Sequence, residues 1–73
     1  MFKNLKKILD EKNITVKAYA EFLGVTEKTA YNKIYGKTEF TLGEVIKTCT
    51  FICPEYKIDY VFAEEKREQI AYV

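Results

Sequence analysis

The stretch VKAYAEFLGVTEKTAYNKIYGKTEFTL, residues 16–42, carries two short helical patterns separated by a three-residue turn. Val16, Tyr19, Ala20 and Leu23 stand at i, i+3, i+4 and i+7, which places apolar side chains on one face of a helix over 16–23. Thr15 is placed to cap that helix. Gly24 is placed to end it, because glycine enters the left-handed region at no steric cost. A second cap, Thr26, opens a helix from Glu27 to about Tyr35 whose inner side carries Ala30 and Ile34, with Gly36 as its stop. Two helices meeting at a sharp angle need a small residue where they cross, a glycine in the turn and an apolar residue to plug the corner. Ala20, Gly24 and Val25 supply these in register, as a helix-turn-helix requires.

Toward the N-terminus, Phe2, Leu5, Ile8 and Leu9 form an apolar stripe for a helix from Phe2 to Lys12, with Asn13 as a left-handed stop. Toward the C-terminus, the polar loop 37–40 leads to Thr41, which forms the capping box T-L-G-E with Glu44. The fourth helix is expected to bury Leu42, Val45, Ile46, Cys49 and Ile52 and to stop at Pro54, which cannot continue it. A short fifth helix, from Glu55 to about Phe62, is expected to bury Ile58 and Phe62. No segment shows sustained strand alternation and the connections are short. The expected fold is therefore all-α, a compact bundle of about five short helices with a helix-turn-helix formed by helices 2 and 3. Residues 1–62 make up this domain and residues 63–73 a C-terminal tail, which by composition is either a helix or a mobile end.

At 73 residues there is room for one domain with one modest core. A chain this short buries about 60% of its unfolded surface and usually needs a disulfide, a metal or a partner subunit. Metal is not expected, because there is no histidine and two cysteines make half a site. A disulfide is not expected either. Cys49 and Cys53 lie four apart on one predicted helix, pointing the same way without easily bridging, as two reduced and mostly buried thiols. Self-association remains as the support. No stretch is apolar enough to cross a bilayer and the N-terminus has no signal-peptide core, so a cytoplasmic protein without a membrane partner is expected. The absence of histidine, of a glycine-rich phosphate cradle and of a nucleophile beside a base argues against an enzyme, a cofactor or a small-molecule substrate.

The net charge of +1 conceals an asymmetry. Residues 1–38 hold eight lysines against four acids, whereas residues 39–73 hold four cations against seven acids. Such a polarised field suits a protein that turns one face toward a polyanion.

The helix-turn-helix run, followed by Lys33, Ile34, Gly36, Lys37, Phe40, Thr41 and Leu42, resembles the Cro and lambda-repressor-like superfamily, above all its small phage regulators. The similarity covers about residues 3–62. It implies a sequence-specific transcriptional regulator, a phage or prophage repressor that binds double-stranded operator DNA. In that family the outer face of the second helix of the motif reads base edges in the major groove. Here that face carries Glu27, Lys28, Tyr31 and Asn32. Lys28 can donate to guanine, Asn32 can pair bidentately with adenine, Glu27 can accept from cytosine, and Tyr31 can pack on a thymine methyl or donate to a phosphate. Phosphate contacts are expected to flank this face, from Thr15 and Lys17 at the start of the preceding helix and from Lys33, Tyr35, Lys37 and Thr38. Two positions depart from the family. Val16 stands where glutamine is usual, and Ala30 where a bulky aliphatic is common, which leaves Tyr19 or Phe22 to fill the space.

The resemblance also implies a homodimer on a roughly palindromic operator, with Tyr56, Tyr60, Phe62, Ile70 and Tyr72 as candidate contacts. Bound to DNA in a bacterial cell, such a protein would be associated with the nucleoid. The alternative is a protein-interaction module on the same fold, an antirepressor or antitoxin-like partner that does not use DNA. Near-neutral charge and Val16 lean toward that alternative.

Overall fold

Three threonines decide where helices begin. Thr15 Oγ1 accepts the Ala18 N–H at 3.0 Å, and Thr26 Oγ1 accepts the Thr29 N–H at 3.1 Å. Thr41 Oγ1 accepts the Glu44 N–H at 3.1 Å, while Glu44 Oε1 accepts the Thr41 N–H at 3.0 Å to close the capping box. Each such cap contributes about 1 kcal/mol by pairing an amide that the helix itself leaves open.

The computed structural model describes residues 1–64. Its helices are α1 (Lys3–Glu11), α2 (Val16–Leu23), α3 (Glu27–Ile34), α4 (Leu42–Phe51) and α5 (Ile58–Val61), with no strand among the described residues. The described residues form an all-helical fold, with α2 and α3 as its helix-turn-helix. None of these helices is long and apolar enough to cross a membrane. α1 is one residue shorter at each end than its apolar pattern predicts. Asn13 follows it with φ +59°, the left-handed stop. Gly24 has φ +79°, and the amides of Gly24 and Val25 both return to the Ala20 carbonyl, at 2.8 and 3.0 Å. That turn sends α3 back across α2, and these two helices form the main helix pair of the fold. α1 packs on α3 and α5, and α4 on α5.

The core consists of Leu5, Ile8 and Leu9 from α1, Tyr19 and Ala20 from α2, Ala30 and Ile34 from α3, with Cys53 and Val61. Phe2, Phe40 and Phe62 close one side of it as three mutually edge-on rings, with centroids 5.0–5.7 Å apart. The Phe2 amide donates to the Ile34 carbonyl at 2.9 Å, tying the N-terminus to the end of α3. Side chains reach from α4 to the motif. Tyr19 and Thr48 share a buried hydrogen bond of 2.8 Å between their hydroxyls, and the Lys47 ammonium donates to the Phe22 carbonyl at 2.7 Å.

α4 does not bury the face that its apolar residues suggest. Leu42 is 74% exposed and Ile46 51%, whereas Thr48 is fully buried and Val45, Cys49 and Ile52 are half-buried. The Tyr19 hydroxyl sits in the core and needs a partner, because an unpaired buried hydroxyl is costly. Thr48 supplies it, and turning Thr48 inward rotates Ile46, about 200° away around the helix, outward.

The fifth helix also differs. It begins at Ile58 rather than Glu55, since residues 54–56 form a turn and Lys57 is extended as the N-cap. Val61 is its buried residue, Phe62 is half-buried and Ile58 is exposed. Cys53 lies beyond the end of α4 instead of on it, with its thiol turned back toward the Thr48 carbonyl at 3.7 Å. Both cysteines are free, Cys53 buried and Cys49 half-buried. The tail beyond residue 64, including Ile70 and Tyr72, falls outside the described residues.

Candidate nucleic-acid interface

α3 owes its orientation to what it hides. Ala30, Lys33 and Ile34 are buried on its inner side. A helix turns about 100° per residue, so Lys28, Tyr31 and Asn32 take the opposite side. Glu27, Lys28 and Tyr31 are exposed and Asn32 is half-buried. The acidic Glu27 stands in the first turn, where the helix dipole favours it.

Three of these residues share one surface with the start of α2. Val16, Glu27, Lys28 and Tyr31 line an open depression of about 440 Å³ between the start of α2 and the first turns of α3. Val16, half-buried, gives that depression an apolar side. From its edge the Tyr31 ring leans on Tyr35, with centroids 4.3 Å apart. The Asn32 carbonyl accepts the amides of Lys37 and Thr38 at 2.8 and 3.3 Å, which draws the loop after α3 to the same helix. The loop can turn back here because Gly36 adopts φ +87°. Its Lys37 and Thr38 side chains are exposed.

At the other end, Thr15 and Lys17 are exposed beside Val16. The Thr15 oxygen is occupied by the Ala18 amide, but its hydroxyl hydrogen remains available for donation. The first amides of α2 have no intrahelical acceptor and face outward with the positive end of the helix dipole. Among the described residues Lys17, Lys28 and Lys37 form no ion pair, whereas Lys6 is paired with Asp10 and Lys12 with Glu55. Three of the cations expected to meet a polyanion are thus uncommitted, and the surface between them offers hydrogen-bond donors, an amide and a phenol.

Lys33 is not part of this surface, which corrects its assignment as a phosphate contact. It is 6% exposed. Its ammonium pairs with Glu44 Oε1 at 2.9 Å, donates to the Glu39 carbonyl at 2.9 Å, and stands 5.8 Å from the centre of the Phe40 ring. Burial works against ionisation of Glu44, but the Thr41 amide and the Lys33 ammonium outweigh it and hold the carboxyl below its ordinary range. A signal for this was available. Lys33 stands i+3 from Ala30 and next to Ile34, the inward side of the helix.

The candidate dimer residues are divided. Tyr56 and Tyr60 stack on each other at 5.4 Å, with Tyr60 exposed. Phe62 is spent within the chain, against Phe2 and Phe40. Ile70 and Tyr72 lie outside the described residues. No group of histidine, cysteine or acidic side chains that could hold a metal occurs among the described residues. Comparison with family models, curated proteins and solved structures gives no match to this chain.

Proposed function

We propose that this protein is a sequence-specific DNA-binding transcriptional regulator of the Cro-like type, a phage or prophage repressor acting in the bacterial cytoplasm. The outer face of α3 enters the major groove, and repression follows from occlusion of a promoter. The observation that carries this is the outer face of α3, with Lys28 and Tyr31 exposed and Asn32 half-buried beside them, on a helix anchored from behind by Ala30 and Ile34, while Lys17 and Lys37 form no ion pair among the described residues. Lys28 and Asn32 present donors suited to base edges, and Thr15, Lys17, Lys37 and Thr38 present groups suited to phosphates. The resemblance of residues 3–62 to small phage regulators supports the same conclusion. On a palindromic operator two copies would bind, with their α3 helices about 34 Å apart, one turn of DNA.

Selection of bound duplexes from a random pool tests this directly, since a regulator enriches one motif and its symmetry gives the stoichiometry. On that motif Lys28→Ala and Asn32→Ala should each cost about 1–3 kcal/mol and relax the preference at one base pair. Lys37→Ala should weaken all sequences alike and reduce the salt dependence by about one unit. Unchanged affinity and preference in the variants at 28 and 32 would remove the site. A protein-interaction module is the second reading, favoured by the exposed apolar side chains of Leu42, Ile46 and Phe51. Such a module would co-purify with a protein and ignore duplex DNA.

A further inference from the structure

We infer that Lys33 is a positioning residue for DNA recognition, clamping the loop after α3 to the reading helix so that base-contacting and phosphate-contacting groups meet a duplex as one rigid unit. This rests on the DNA-binding function proposed above. An ammonium has three donors, and burying it is costly unless they are engaged. Lys33 is 6% exposed, and all its partners lie on the far side of the loop: the Glu39 carbonyl, the Glu44 carboxylate and the Phe40 ring. The near side of the loop is held by the preceding residue, whose carbonyl accepts the Lys37 and Thr38 amides. Adjacent residues of α3, Asn32 and Lys33, thus grip the loop at both ends. Asn32 also presents its side chain to the reading face.

Glu44 Oε1 meets the Lys33 ammonium and the Thr41 amide together, so the same carboxylate starts α4 and anchors the clamp. Because the Lys33 charge is already neutralised inside the protein, it displaces no counterion from DNA. It acts on recognition by fixing where Lys37 and Thr38 stand relative to Lys28 and Asn32. Recognition depends steeply on such placement, since a site left loose by about 1 Å loses much of its selectivity.

The test compares wild type, Lys33→Met and the double variant Lys33→Met/Glu44→Gln as full chains. Each is titrated with the selected duplex and with an unrelated duplex over a range of salt. Methionine keeps the length of the buried stem. Glutamine keeps the cap on Thr41 while removing the carboxylate charge that Lys33 would otherwise leave unpaired, so the double variant decides the matter if the single one folds poorly. Both variants should bind the unrelated duplex within about twofold of wild type with an unchanged salt slope. Their preference for the selected duplex should fall about tenfold. A slope reduced by about one unit with preference intact makes Lys33 a phosphate contact and overturns the inference. Wild-type preference and slope in the folded double variant overturn it as well, because the pair is then only structural. A wild-type protein that prefers no duplex fails earlier, at the proposed function itself.

Discussion

The hydroxyl pair of Tyr19 and Thr48 should show strong energetic coupling, and a double-mutant cycle measures it. The two oxygens are 2.8 Å apart, and both residues are fully buried. Thr48→Val keeps the branched shape but strands the phenol in the core, at a cost of about 1–3 kcal/mol for an unsatisfied buried group. Tyr19→Phe leaves a threonine hydroxyl that can turn to the carbonyl one helical turn back, so about 1 kcal/mol is expected. The double variant replaces a polar pair by an apolar pair of nearly the same shape and should cost about 1 kcal/mol or less. The single variants therefore exceed the double by about 1–3 kcal/mol when summed. Urea melts at neutral pH provide the assay, with midpoints compared at constant m. In a domain of this size each kcal/mol should also move the melting temperature by about 4–8 °C. Single effects that add to within about 0.3 kcal/mol would refute the reasoning, since independent side chains behave that way. The rotation assigned to α4 would then need another cause.

Three further outcomes follow from the same geometry. Burial pushes the Cys53 thiol up to about 11, helped by the neighbouring Cys49 and Glu55, and burial raises the Tyr19 phenol further still. Both groups hold their protons more tightly when folded, so stability should be intact below about pH 8.5, fall from there toward pH 11 as the unfolded thiol ionises while the folded Cys53 keeps its proton, and fall further above about pH 10 as the unfolded Tyr19 phenol does the same. Urea melts from pH 8 to 11 should show a shallower loss in Cys53→Ala and Tyr19→Phe than in wild type, and identical profiles would contradict the assignment. Gly24→Ala meets no atom within 4 Å, so its cost comes from the left-handed backbone alone, about 1–2 kcal/mol, and Gly24→Asn should cost less. Equal losses in the two, read by thermal melting, would point to crowding instead. Leu42→Gln and Ile46→Gln should each change stability by no more than about 0.5 kcal/mol, because both side chains are exposed. A loss of 2 kcal/mol or more at either position would mean that α4 buries its more apolar face.

Sequence alone determined the features whose interactions close within a turn of helix. The caps at Thr15, Thr26 and Thr41 join residues three apart, and the stops at Asn13 and Gly24 depend on the backbone of one residue. For the same reason the boundaries of α2 were legible, and so was the outward side of α3, opposite Ala30 and Ile34. Only the tertiary structure decided which face α4 buries, because Tyr19 chooses its partner 29 positions away. It also withdrew Lys33 from the DNA-facing set, through a carboxylate that the sequence pattern had assigned to a cap alone, and committed Phe62 to rings at positions 2 and 40. Hydrophobic spacing records that a face is apolar; what meets that face, and which buried polar groups must be satisfied there, is settled only when distant segments come together.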